Sequence, residues 1–260
     1  MTCSGALIEA GSETTSQALN NTIVGLLSNP EAIERCHEEL DRVIGDDRTP
    51  TFEDLPQLPY IWAVVKETMR WRPTTKLGIN HYNIEDDWYE GYFIPKGSII
   101  MINQWAIHYD EENYPDPYKY EPARFLHHNL TAGEYAAMAD VNARDHFSFG
   151  GGRRICPGLH IAERSVFINT ARLLWGFNIE HAKDENGEIV PVDFSFDGMV
   201  PGAMSNAKPF KCCMFSLLRW WLMLAITPRS QKRERIMRDE SAESQKVGVD
   251  FSNIQFEVVS

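Results

Sequence analysis

Ala6-Leu7-Ile8 lead into Ala10-Gly11-Ser12-Glu13-Thr14-Thr15, and a polar and apolar alternation follows as far as Leu26-Leu27. With no start signal ahead of it, this stretch reads as a helix entered midway. The next helix is bounded at both ends: Asn29 as N-cap, Pro30 at the first helical position, Ile33, Cys36, Leu40, Val43 and Ile44 on one face, and Gly45 as stop. Cys36 falls on that apolar face and is read as core. Thr51-Phe52-Glu53-Asp54 has capping-box spacing for a short helical turn. Ile61, Val64, Val65 and Thr68 predict a helix over Tyr60 to Arg70 that Pro73 ends.

Tyr92-Phe93-Ile94 and the run from Ser98 to Ile102 flank Pro95-Lys96-Gly97, a strand-turn-strand pattern. Between residues 109 and 148 the periodicity weakens to a packed meander with one short helix predicted at Thr131 to Ala139. After Gly158, the apolar positions Leu159, Ile161, Ala162, Val166, Phe167, Ala171, Leu173 and Leu174 predict a long, mostly buried helix. Short strands and turns are expected from there to Phe210. Internal repeats are absent.

The 260 residues allow one large or two small domains, and a 43% hydrophobic fraction supplies a sizeable core, which excludes wholesale disorder and collagen-like structure. A net charge of −12 argues against nucleic-acid partners, because the dense basic stretch, Arg229 to Arg238, is short and acids follow it. Five cysteines, odd in number and scattered, do not form a disulfide framework. The first residues, with Glu9 and Glu13 and no basic run, resemble neither a secretory nor a transit leader. Cys212 to Ile226, the nearest approach to a membrane span, is 15 residues long and contains Arg219, whereas a bilayer needs about 20 apolar residues.

Chemistry concentrates in Phe147-Ser148-Phe149-Gly150-Gly151-Gly152-Arg153-Arg154-Ile155-Cys156-Pro157-Gly158, directly before the long apolar helix. A helix start and its free backbone N–H groups favour negative charge and can donate hydrogen bonds to a sulfur, which suits a ligand or nucleophile. The glycines let backbone approach a flat partner, and Arg154 can pair with a carboxylate on it. A phosphate loop would require Gly-x-x-x-x-Gly-Lys-Ser/Thr, which is not met. Zinc held by Cys156 and His160 would lack a second pair of ligands.

Phe149-Gly150-x-Gly152-x-Arg154-x-Cys156-x-Gly158 resembles the haem-binding loop of the cytochrome P-450 superfamily over its whole spacing. The resemblance implies Cys156 as the thiolate ligand of iron in haem b, and thus the metal-binding residue, with Arg154 as a propionate partner. Phe149, Gly150, Gly152 and Gly158 would shape the loop and Ala162 would be the small residue of the next helix. Thiolate ligation pushes electron density onto iron and favours O–O cleavage. Glu67-x-x-Arg70 and Pro122-Ala123-Arg124-Phe125 are similar to two further family motifs, so Glu67, Arg70 and Arg124 are expected to form a structural salt-bridge triad. A lone exposed Glu67–Arg70 pair would be worth only a few tenths of a kcal/mol.

Ala10 to Thr15 resembles the oxygen-binding segment of the family's central helix, with Glu13 in place of the commoner Asp. Glu13 and Thr14 are the expected catalytic pair, relaying protons, and Gly11 with Thr14 is expected to loosen the helix locally. His81, in Gly78-Ile79-Asn80-His81, would reach a propionate, although Asn80 departs from the usual Pro. The stretches Tyr89 to Gly97 and Trp105 to His108 also resemble the family, most closely its microsomal and fungal members, with Trp105 and His108 read as packing residues.

The implied fold is mainly α with small β-sheets. The resemblance covers residues 4–212 and 226–240 and matches the C-terminal half of the family's fold. The expected organisation is therefore a partial domain over 1–212 starting within the oxygen-binding helix, an anomalous apolar insertion at 213–225, the end of the closing β region at 226–240 and an unassigned tail at 241–260. The insertion reads either as an untranslated intervening sequence or as a membrane-resting segment.

The implied activity is monooxygenation of a small apolar organic substrate with electrons from NADPH through a reductase. Full-length relatives would sit at the cytosolic face of the endoplasmic reticulum membrane through an anchor not seen here, leaving this chain cytoplasmic. The expectation is also that the chain alone does not enclose haem. The alternative is a non-catalytic fragment with weak or no haem binding.

Overall fold

A computed structural model describes residues 3–140, 143–202, 204–211 and 226–246. Four helices carry the core: α1 (Cys3–Ser28), α2 (Pro30–Val43), α3 (Pro59–Trp71) and α6 (Leu159–Gly176). Among the described residues, three two-stranded antiparallel sheets and the short helices α4 (Gln104–His108) and α5 (Ala132–Ala137) lie around them. Mainly α with small β-sheets is thus the observed architecture. Among the described residues, no helix is long and apolar enough to cross a membrane.

The predicted helix ends form through the expected caps. Asn29 Oδ1 accepts the Ala32 N–H at 3.3 Å, and its amide group donates to Tyr120 O at 3.0 Å, tying the start of α2 to the meander. At the other end Gly45 takes φ +67°, and its N–H returns to Leu40 O. This is a left-handed position that a side chain would resist. Asp54 accepts from both the backbone N–H and the hydroxyl of Thr51 and starts a 3₁₀ turn at Phe52–Gln57, while Thr131 and Glu134 form a capping box on α5.

Leu26, Leu40, Leu58, Ile61, Val64, Phe167, Leu174 and Trp175 are fully buried where these helices meet, with Trp62 and Phe167 in an edge-to-face pair at 5.8 Å. Cys36 is in this core. Helix α3 departs from an amphipathic expectation, because every residue from Tyr60 to Trp71 is buried, including Lys66, Glu67 and Arg70. Its polar side is covered by the meander and α6 rather than by water.

Two expectations are corrected and one is refined. The strands flanking Pro95-Lys96-Gly97 form as predicted, each with its own partner: β3 (Tyr92–Ile94) pairs with β2 (Asp87–Tyr89), and β4 (Ile99–Ile100) pairs with β1 (His81–Tyr82). The Glu90-Gly91 turn, with both residues at positive φ, closes the inner hairpin, so the later strand is left for the earlier partner. Helix α1 runs unbroken through Gly11 and Thr14 rather than opening there, and the Thr14 hydroxyl donates back to Ala10 O at 2.8 Å.

The segment 226–240 keeps only β6 (Ile226–Pro228) as strand, paired with β5 (Phe177–Ile179), and then becomes helix α7 (Gln231–Lys246). Ser230 Oγ accepts the Arg233 N–H at 3.2 Å and caps α7, whose Gln, Lys, Arg, Glu, Met and Ala residues are strong helix formers. The insertion at 213–225 and the tail beyond residue 246 lie outside the described residues.

Candidate active site

The loop from Phe147 to Gly158 folds back on itself through its own backbone. Gly150 N donates to Phe147 O at 2.8 Å, and Cys156 N donates to Phe149 O at 2.9 Å, which sets Cys156 beside the start of the loop. Gly150 and Gly152 take φ +79° and +64°, with nothing within 4 Å of where a Cβ would lie. The turn therefore requires glycine and leaves an open face. Gly152–Arg154 forms a 3₁₀ turn, and Gly158, the residue before α6, accepts the Ala162 N–H through its carbonyl. Cys156 is half-buried, in contrast to the sealed Cys36. Phe149 is partly buried against the core, and Arg154 is exposed.

Distant segments hold this loop from below. Ser148 Oγ donates to Met69 O at 2.5 Å, Gln104 Nε2 to Phe147 O at 2.9 Å, and Phe147 N to His108 Nε2 at 2.8 Å. Arg144 Nη1 reaches Gly150 O at 3.2 Å. Beneath it lies a buried ion pair between Lys66 and Asp145, with Lys66 also donating to Leu130 O at 2.7 Å. Burial pushes the His146 imidazole down to about 4 and His108 well below the usual range, so both rings are neutral acceptors near neutrality. Sequence reasoning missed Gln104, Arg144, Ser148 and the Lys66–Asp145 pair, and assigned His108 to packing alone. The only local signal was the Asn103 cap that starts α4.

Glu67, Arg70 and Arg124 come together. Arg70 donates twice to the Glu67 carboxylate, at 2.7 and 2.9 Å, and Arg124 Nε reaches the same carboxylate at 3.2 Å. Glu67 and Arg70 are fully buried, so the solvated i, i+3 pair considered from spacing alone is not what forms. Glu13 is exposed on α1 and Thr14 is half-buried. Neither hydrogen-bonds to the Cys156 loop among the described residues. His81 is exposed on β1, opposite Ile100. A surface cavity of about 270 Å³, walled by Trp71, Arg72, Tyr109, Tyr118 and Phe194–Phe196, contains none of the predicted site residues.

The donor set fits haem. Among the described residues no group of three His, Cys, Asp or Glu side chains could share a metal ion, and the His160 ring packs on Gly133. Cys156 would supply the protein's own ligand to an iron whose remaining ligands a macrocycle brings with it. The open glycine face beside the thiol leaves room for a flat group, and the exposed Arg154 is free to meet an anionic edge.

A family model described as Cytochrome P-450 matches residues 1–214. The cytochrome P-450 monooxygenase verL of Clonostachys rogersoniana is 45% identical over 246 residues, 95% of this chain and 42% of that one. The cytochrome P-450 monooxygenase yanC of Aspergillus niger is 43% identical over 244 residues, 93% of this chain and 43% of that one. A solved zebra fish cytochrome P-450 with abiraterone superposes with a TM-score of 0.67 at 30% identity, covering 85% of this chain and 45% of its own. The chain thus spans about two fifths of the length of these curated relatives. With a family match over most of its length and such identity to its relatives, this chain belongs to the cytochrome P-450 family.

Proposed function

We propose that this chain provides the thiolate side of a haem-dependent monooxygenase that inserts one atom of O2 into a small apolar organic substrate, with electrons from NADPH delivered by a reductase. One observation carries the reading: the family loop closes around a single half-buried thiol, Cys156, with a glycine face left open beside it. When bound, the haem supplies the oxygen-activating redox chemistry, for which a thiolate ligand is the suited donor.

Cys156 would hold the iron, and Arg154 and His81 would neutralise the propionates. Phe149 backs the loop, Gly150 and Gly152 let it approach a planar group, and Gly158 stands beside the Cys156 sulfur at the start of α6. Glu13 and Thr14 would hold and pass protons. For Thr14 this requires the hydroxyl to turn away from Ala10 O. Glu67, Arg70 and Arg124 keep the meander in place. The fungal relatives support a role in fungal secondary metabolism, and an endoplasmic reticulum location facing the cytosol follows from the family alone.

Expressing the protein with added hemin and recording its reduced carbon monoxide spectrum tests the reading. A red-shifted Soret band typical of thiolate ligation is expected, lost in Cys156→Ala while the thermal melt is retained. No such band, or the same band in Cys156→Ala, would reject it. Haem transfer to apomyoglobin then measures enclosure separately from ligation, with rapid loss marking an open pocket.

A further inference from the structure

Phe147, the first residue of the loop, is gripped at both poles of its backbone by α4. Its N–H donates to His108 Nε2 at 2.8 Å, and its carbonyl accepts from Gln104 Nε2 at 2.9 Å. Both side chains are 1% exposed or less. The Phe147 carbonyl also receives the Gly150 amide, and the next turn of the loop, from Phe149 O to the Cys156 amide, is built on that one. The position of the Cys156 backbone therefore follows from where Phe147 is clamped.

The other end of the clamp leads into the triad. Arg70 Nη1 donates to the His108 carbonyl at 2.8 Å, and Arg70 is itself locked on Glu67. His108 alone among these residues touches the triad through its backbone and the loop through its ring. Because Nε2 accepts a hydrogen bond, the ring proton sits on Nδ1, which is buried and has no hydrogen-bond partner. An orphaned donor carries a desolvation cost that an apolar side chain of the same shape would avoid. Packing alone therefore does not account for histidine here, whereas the acceptor it presents to Phe147 does.

We propose that His108, with Gln104, is a positioning residue for the thiolate loop: it transmits the fixed frame of the Glu67–Arg70 pair to Phe147 and so sets the place at which Cys156 is presented. The target of that presentation rests on the haem reading above; the clamp itself does not.

Hydrogen exchange of the haem-free chain and the reduced carbon monoxide spectrum of the haem-loaded protein test the two parts separately. His108→Leu should speed exchange of the Gly150 and Cys156 amides by about tenfold or more, as loss of a local anchor does, with the α6 core amides unchanged. His108→Gln, which keeps an acceptor, should bring them back to near the parent rates. Gln104→Leu removes the grip on the carbonyl side and should loosen Gly150 independently.

In loaded protein, His108→Leu should shift carbon monoxide absorbance from the thiolate band to the unshifted one, and His108→Gln should restore the thiolate band. Parent-like loop exchange in both His108→Leu and Gln104→Leu would overturn the clamp, as would acceleration spread equally over the α6 core. A parent protein with no thiolate band but with the loop-specific exchange response would sustain the clamp and overturn the haem reading instead.

Discussion

Arg70 Nε lies 2.7 Å from Glu67 Oε2, one turn earlier on α3, and neither side chain reaches water. The rings of Tyr109 and Tyr114 lie within 6 Å of the Arg70 guanidinium, and the Glu121 N–H adds a further hydrogen bond to the Glu67 carboxylate. At this depth the pair is defined by the cost of breaking it. Glu67→Ala leaves a buried guanidinium uncompensated and should destabilise the fold by about 3–5 kcal/mol. Arg124→Ala, at the rim of the same cluster, should cost about 1–3 kcal/mol. Urea denaturation of the two variants measures both, and equal small losses would contradict the assignment.

Glu163 on α6 introduces a pH dependence. Burial raises its carboxyl to about 7, against the opposing pull of Lys66 and the Ala132 N–H. A carboxyl whose folded pKa exceeds its unfolded value favours the fold in its protonated form. Its contribution is full below the unfolded value near 4.5, declines as pH rises and is lost above about 7. The full span corresponds to at most about 3 kcal/mol. Because the buried histidines add an opposing slope to both proteins, the test is the difference: the melting temperature of the parent relative to Glu163→Gln should fall as pH is raised from 4.5 to 8.

Two glycines with the same apparent crowding should respond differently to alanine. A Cβ on Gly25 would lie 2.5 Å from the Tyr120 ring, which is buried, hydrogen-bonded to Thr68 and packed edge-on against Trp71. A Cβ on Gly176 would lie 2.5 Å from Met237 Sδ, on a flexible side chain of α7. Gly25→Ala should cost about 1–3 kcal/mol, because the ring has nowhere to go. Gly176→Ala should change little, since a thioether repacks readily. Differential scanning calorimetry of the two variants gives the comparison directly.

Helix α7 is docked by one residue more than by its length. Arg233 is 4% exposed and binds Asp41, Asp46 and the Trp175 carbonyl while its guanidinium covers the Trp175 ring. Lys232, by contrast, pairs with Asp47 in solvent. Arg233→Ala should lower stability by about 2–3 kcal/mol and release α7 in hydrogen exchange. Lys232→Ala should leave the unfolding midpoint where it was.

Local chemistry was legible wherever one short segment settles the outcome. Asn29-Pro30 and Gly45 bound α2, Thr131 with Glu134 starts α5, and the spacing from Phe149 to Gly158 identifies the thiol loop and its family. Caps, turns and motif spacing depend on neighbours a few residues away, so the sequence by itself determined them.

Tertiary structure alone decided the rest, because it depends on which remote segments arrive. Periodicity marked one face of α3 as apolar, but only the meander and α6 could turn its charged face into interior and bury two separate ion pairs, Glu67–Arg70 and Lys66–Asp145. The strand beginning at Ile99 took an earlier partner because the Glu90-Gly91 turn had already closed the inner hairpin. Gln104 and His108 meet Phe147 across roughly forty residues of chain, a contact that no local pattern announces. Burial and backbone hydrogen bonding are properties of the assembled surroundings, and those surroundings gave a histidine read as packing a hydrogen bond to the Cys156 loop.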